Sequence, residues 1–273
     1  MKGDFTTDII HLTPILASLL FGVFCAVLIA FSSVEIYGIA PFPESTAGSL
    51  GNAFYFVILV GIGASFLYFL VKRKSLRIIK FITGFVLSLA VFMLSIIYLS
   101  VAFSTFYIPY AELLTLMLSF AITVVAYFAI FRTHSKYGNI VVLGLGGALG
   151  TFLGIAIPTL STILILTFLA AYDIFAVYHG PVGKIARNGL DHLKGLSFSF
   201  KDIQMGLGDL TFYSMLSGHM LLYFGFLSCL ISIIGILLGC LITFRMLAKK
   251  GMFPGLPFPI LLGLTAGLLA SVI

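Results

Sequence analysis

The feature that most constrains this chain is a succession of apolar runs, each about as long as a bilayer-spanning helix, separated by short segments that hold its charges. They fall at about Leu12 to Phe31, Ala53 to Val71, Phe81 to Ala102, Leu113 to Phe131, Ile140 to Ile157, Thr159 to Val177, Leu207 to Leu222, Phe224 to Phe244 and Leu256 to Val272. A helix of roughly 20 apolar residues crosses the hydrocarbon and satisfies its own backbone hydrogen bonds. Of the 273 residues, 61% are hydrophobic and 9% charged, against roughly a quarter charged in a soluble domain, so no soluble core could absorb this surface. The expected fold is an all-α polytopic membrane protein of nine transmembrane helices, in one membrane-embedded domain over residues 1–273.

Two divisions follow from length. Read as one helix, Ile140 to Val177 would be roughly 57 Å long, nearly twice the hydrocarbon thickness of about 30 Å. It must turn, and Pro158 marks the place. The same limit requires a turn somewhere from Ser217 to Gly225. Helices one to six then occupy 1–179, a loop 180–205, and helices seven to nine 206–273. The opening MKGDFTTDII carries two acids and leads to no small-residue cleavage site, so the first apolar run is expected to stay as a helix.

With nine spans, one side of the membrane receives the amino terminus and the loops at 72–80, 132–138, 180–205 and 245–253. These hold Lys2, Lys72, Arg73, Lys74, Arg77, Lys80, Arg132, Lys136, Lys184, Arg187, Lys194, Lys201, Arg245, Lys249 and Lys250, which are all 15 Lys and Arg of the chain. The positive-inside rule makes that side cytoplasmic, with the amino terminus inside and the carboxyl terminus outside. The net charge of +6 calls for no nucleic acid, because basic loops face anionic lipid headgroups. The expected location is a membrane crossed many times, the cell membrane by preference.

Asp4, Asp8, Glu35, Glu44, Asp191 and Asp202 lie in water-facing segments and Glu112 at the outer edge of helix four. Asp173 and Asp209 lie inside apolar spans, where an aspartate costs about 2.5 to 3.5 kcal/mol and marks function by default. Asp173 sits roughly 8 Å from the cytoplasmic end of helix six. Asp209 opens helix seven at similar depth on the same side, and consecutive helices are usually neighbours. Two close carboxyls hold one proton between them. The ionised member can take a proton from water while its partner polarises a peptide carbonyl, which is aspartyl protease chemistry without a covalent intermediate. Taken alone, the two acids equally suit a proton- or cation-coupled transporter or channel. No internal repeat of the transporter kind is evident, however.

The residues around the acids narrow the choice. Tyr172-Asp173 in LAAYDIFAVYHGP and Gly206-Leu207-Gly208-Asp209 in GLGDLTFYS resemble the YD and GxGD motifs of the presenilin and signal peptide peptidase family of intramembrane aspartyl proteases. Pro254-Gly255-Leu256-Pro257 is similar to the PAL motif that opens the family's last helix, with Gly255 where Ala is usual. The match covers about 165 to 262. It implies Asp173 and Asp209 as the catalytic dyad, Tyr172, Gly206, Leu207, Gly208, Pro254, Gly255 and Leu256 as site-shaping residues, transmembrane helical proteins as substrates, and no cofactor or metal. A homo-oligomer is compatible with it. The charge pattern corresponds to the presenilin orientation, and the loop of about 26 residues leaves no room for a long self-cleavage segment.

Other features carry their own expectations. Gly206 and Gly208 suit close packing and easy unwinding of helix seven. Pro254 and Pro257 suit helix initiation, or free nearby carbonyls for a substrate. Tyr213, four residues after Asp209, shares its face and could orient the carboxylate. His11, His134, His179, His192 and His219 show no ligand spacing, and neither do Cys25, Cys229 and Cys240. Pro181 could open a short surface helix, and Leu196 to Phe200 alternates with period two, the signature of an edge strand beside Asp209. If the charge pattern sets the orientation, a cysteine placed at Asn188 will react with an impermeant thiol reagent from the cytoplasmic side only. Labelling solely from outside would invert the topology.

Overall fold

The computed structural model describes residues 9–32, 38–73, 75–106, 110–133, 135–180, 195–200 and 203–272. After a 3-10 turn at Ile9–Leu12, the described residues form nine helices and one hairpin. Helices α1 (Thr13–Ala30), α2 (Thr46–Lys72), α3 (Leu76–Phe106), α4 (Ala111–Phe131), α5 (Ser135–Ala156) and α6 (Thr159–Tyr178) come first. Strands β1 (Ser197–Phe200) and β2 (Ile203–Gly206) follow, then α7 (Leu207–Phe224), α8 (Phe226–Lys250) and α9 (Pro257–Ala270). Seven helices, α1 to α6 and α8, are long and apolar enough to cross a membrane. The other two, α7 with 18 residues and α9 with 14, carry or abut the conspicuous acids.

Local chemistry explains the boundaries. α2 starts at Thr46 rather than at Ala53, because Ser45 caps it through a 3.0 Å bond from the Gly48 amide to its Oγ. Pro158 separates α5 from α6, and Pro257 stands in the first turn of α9, where its missing amide costs no helical bond. The turn expected between Ser217 and Gly225 falls at Gly225, whose φ of +89° suits glycine alone. Gly251, at φ +74°, ends α8 by returning its amide to the Leu247 carbonyl at 2.8 Å. The short helix expected after Pro181 lies outside the described residues.

The core forms around α5 and α7. Lipid tails are as apolar as leucine, so packing within a bilayer depends on close approach and polar contacts more than on hydrophobic burial. The run GLGGALGTFLG supplies that approach. A side chain on Gly150 would collide with the Thr211 carbonyl oxygen and one on Gly154 with the Met215 carbonyl oxygen, while Gly146 lies under Leu210. Gly147 turns the other way, where a Cβ would stand 2.6 Å from the Ser18 carbonyl of α1. Interhelical bonds lock the stack. Thr151 donates to Gly22 O at 2.9 Å, Ser18 to Leu143 O at 2.8 Å and Tyr98 to Ala148 O at 2.7 Å, and His219 Nδ1 lies 2.6 Å from Gly154 O. Gly235 and Gly239 bring α8 equally close to α9. α2 is peripheral and is pinned near its start by Asn52, which donates to Ser161 Oγ of α6 at 2.9 Å and brackets Phe42 with two further bonds.

These contacts predict opposite effects for one chemical change. Gly150→Ala should force α5 from α7 at a cost of about 1 to 3 kcal/mol and lower the melting temperature in detergent. Gly63→Ala on α2, where an added Cβ meets nothing within 4 Å, should hold or raise it.

Candidate active site

Three segments converge at one end of the bundle. α6 supplies Asp173 near its carboxyl end, α7 supplies Asp209 in its first turn, and the 254–257 turn precedes α9. Both aspartates are half-buried as residues. The Leu256 amide donates to Asp173 Oδ2 at 3.0 Å. At the preceding residue of the same turn, a Cβ built on Gly255 would stand 2.9 Å from Asp209 Oδ2 and 3.0 Å from its Cγ and Oδ1. The two acids therefore flank a single dipeptide, and their charges act on one another. Gly255, which departs from the PAL pattern, is where the turn and the Asp209 carboxyl meet in van der Waals contact. No side chain fits there unless that carboxyl moves.

The remaining expected residues separate. Gly206 stands beside Asp209, with the position of its absent Cβ 3.8 Å from Oδ2, and Pro254 is buried within the turn. Leu207 is a packing residue against Gly146. Tyr172 faces α2, where its hydroxyl would lie 3.3 Å from a Cβ on Gly61. Gly208 is exposed and helical, and an added Cβ would meet only Phe212 at 3.8 Å, so close packing does not explain that glycine. Tyr213 is 1% exposed, and its hydroxyl donates to the Gly255 carbonyl at 2.8 Å instead of to the Asp209 carboxylate. The Cys240 thiol of α8 adjoins the same hydroxyl. The Tyr213 bond takes up one of the two lone pairs of the Gly255 carbonyl. Among the described residues no three His, Cys, Asp or Glu side chains converge.

The hairpin adds an element that sequence alone did not supply. β1 matches the expected strand, and β2 pairs with it antiparallel through Ser197↔Gly206, Phe198↔Met205, Ser199↔Gln204 and Phe200↔Ile203. The Leu207 amide extends the ladder to the Leu196 carbonyl at 2.8 Å. Bonded and non-bonded pairs alternate, so the backbones of Ser197, Ser199, Gln204 and Gly206 point outward. On the β1 side that edge meets α5, where Asn139 Nδ2 donates to Ser199 O at 2.7 Å. The edge that leads to Asp209 is therefore that of β2, not of β1. The alternation of Phe198, Phe200, Ile203 and Met205 across Lys201-Asp202 was the available signal for this second strand.

Two solved structures share the fold of this chain, both of a presenilin family intramembrane aspartate protease, in space groups C222 and P2. The first is 19% identical with a TM-score of 0.67 and covers 96% of this chain and 98% of its own. The second is 17% identical with a TM-score of 0.67 and covers 99% of both. This chain has the presenilin protease fold. No protein-family model and no curated protein sequence matches it, so the likeness is carried by the helix arrangement. The nine helices expected from the apolar runs agree with the presenilin fold.

Proposed function

We propose that this protein is an intramembrane aspartyl endopeptidase that hydrolyses peptide bonds within transmembrane helices of substrate proteins, with Asp173 and Asp209 as its dyad. The observation that carries this reading is the convergence of both carboxyls on the Gly255-Leu256 dipeptide, within a fold shared with presenilin-family proteases. Water held between the carboxyls loses a proton to the ionised aspartate and attacks the scissile carbonyl, whose oxygen takes a proton from the other aspartate. The protonated aspartate then gives its proton to the amide nitrogen while one gem-diol hydroxyl loses its proton to the ionised aspartate, so the C–N bond breaks, acid and amine leave, and the pair again holds one proton. The site sits toward the basic end of the bundle, in keeping with a cytoplasmic amino terminus and substrates cut near the cytoplasmic face.

A helical substrate hides its scissile bond and must unwind, and each backbone group then exposed in hydrocarbon would cost several kcal/mol. The outer edge of β2, at Gln204 and Gly206, is placed to replace those bonds by strand addition. An extended peptide paired there runs beside Asp209, because Gly206 adjoins that carboxyl.

Asp173→Ala and Asp209→Ala should each lower cleavage of a single-span substrate by at least about a hundredfold, as expected for loss of a general acid or base. Asp173→Asn should be as inactive, with helix content unchanged in all three. A hydroxyl-bearing transition-state isostere should block the wild type, and persistent cleavage by either purified alanine variant would remove the dyad. Gln204→Pro should reduce kcat/KM far more than Gln204→Ala, because only proline deletes the outward donor, and neither should shift melting by more than a few degrees. Wild-type cleavage by Gln204→Pro would end the strand-addition step while leaving the dyad intact.

A further inference from the structure

We propose that Tyr213 is a positioning residue for the reaction, acting through one peptide unit that it shares with Asp173; this rests on the dyad reading above. The Gly255 carbonyl and the Leu256 amide belong to the same peptide bond. Tyr213 grips its oxygen at 2.8 Å, and its N–H meets Asp173 Oδ2 at 3.0 Å. A trans peptide is planar, with C=O and N–H pointing in opposite directions, so fixing the oxygen aims the hydrogen. The tyrosine hydroxyl also polarises the peptide, which strengthens the donor at its far end. Tyr213 and Asp209 lie one turn apart on α7. That helix therefore carries Asp209 directly and holds Asp173 through the lever, so both carboxyls answer to one rigid element.

The surroundings favour this role over simple packing. The tyrosine ring is buried, yet its hydroxyl reaches a carbonyl 42 residues away in sequence, on a turn that makes no regular helix or strand. Pro254, Pro257 and Pro259 carry no amide hydrogen, so between them only Gly255, Leu256 and Phe258 can donate. Of these three donors, the Leu256 amide meets Asp173 at hydrogen-bond distance and the Gly255 amide also faces that carboxyl.

That scarcity makes the test readable by hydrogen exchange on the full-length protein in bilayers. Tyr213→Phe keeps the ring and removes the hydroxyl. The Leu256 amide should exchange about tenfold faster in this variant, the effect of losing one buried hydrogen bond, and Asp173→Ala should speed it likewise. With a single-span substrate, kcat should fall about tenfold while KM stays within about twofold, because substrate contacts are untouched. Cys240→Ala, which removes the other neighbour of the hydroxyl, should leave both readouts at wild type. Unchanged Leu256 exchange in Tyr213→Phe, or faster exchange with wild-type kcat, would overturn the proposal, as would a Cys240→Ala variant that reproduces the Tyr213→Phe losses. If exchange accelerates as expected while the wild-type protein itself cleaves no substrate, the peptide lever stands and the protease reading falls.

Discussion

The contact on which this structure depends is the backbone-to-backbone approach of α5 and α7. Glycines 146, 150 and 154 recur every fourth residue, so they line one face of α5 and let the Thr211 and Met215 carbonyls lie against the α5 backbone. In a bilayer such proximity brings dispersion and polar contacts that longer side chains would prevent. It also removes freedom. α7 cannot slide or rotate on α5 without a steric clash, so its first turn, with Asp209, has a set depth and direction. The His219 bond to Gly154 and the Tyr223 bond to Ile155 O, at 3.0 Å, secure the opposite end of the same helix.

From that fixed helix the site is assembled by short steps. Tyr213 draws the 254–257 turn against α7, the turn offers the Leu256 amide to Asp173, and Gly255 lets the turn reach Asp209 without a side chain between them. Close α8 and α9 packing through Gly235 and Gly239 delivers the turn to this place. The hairpin is held independently. Its apolar face, with Phe198, Ile203 and Met205, is buried, and Asn139 ties its β1 edge to α5. Two supports that share no residue thus meet at Gly206, where strand becomes helix beside Asp209.

Most of the helices were legible because bilayer thickness imposes a length that apolar runs display directly. The acids were legible for a related reason: charge is costly in hydrocarbon, so Asp173 and Asp209 stood out against their neighbours. Strand β1 showed in the alternation around Phe198 and Phe200, and Gly225 lay within the window allotted to its turn. What escaped was pairing between distant backbone and side-chain atoms. The bond from Leu256 to Asp173 joins residues 83 apart, and nothing in the local pattern around Tyr213 distinguishes a partner on its own helix from one on a remote turn. Close packing, one of the two roles expected of Gly208, was suggested because glycine in a helix often marks a close neighbour, whereas its surroundings here are open. α2 ran longer than its apolar stretch because a capping serine extends a helix into polar sequence.

The three prolines around the turn have a consequence that begins before the chain is folded. Each ring restricts φ in the unfolded ensemble as much as in the native state, so the segment from Pro254 to Pro259 has fewer conformations to surrender than an ordinary loop of the same length. Ordering it against two acids therefore costs less conformational entropy, and part of the site's rigidity is inherent in the disordered chain. A proline-poor turn with the same native contacts would fluctuate more widely at equal enthalpy. Its amide at the Leu256 position would spend a smaller share of the time in register with a carboxylate.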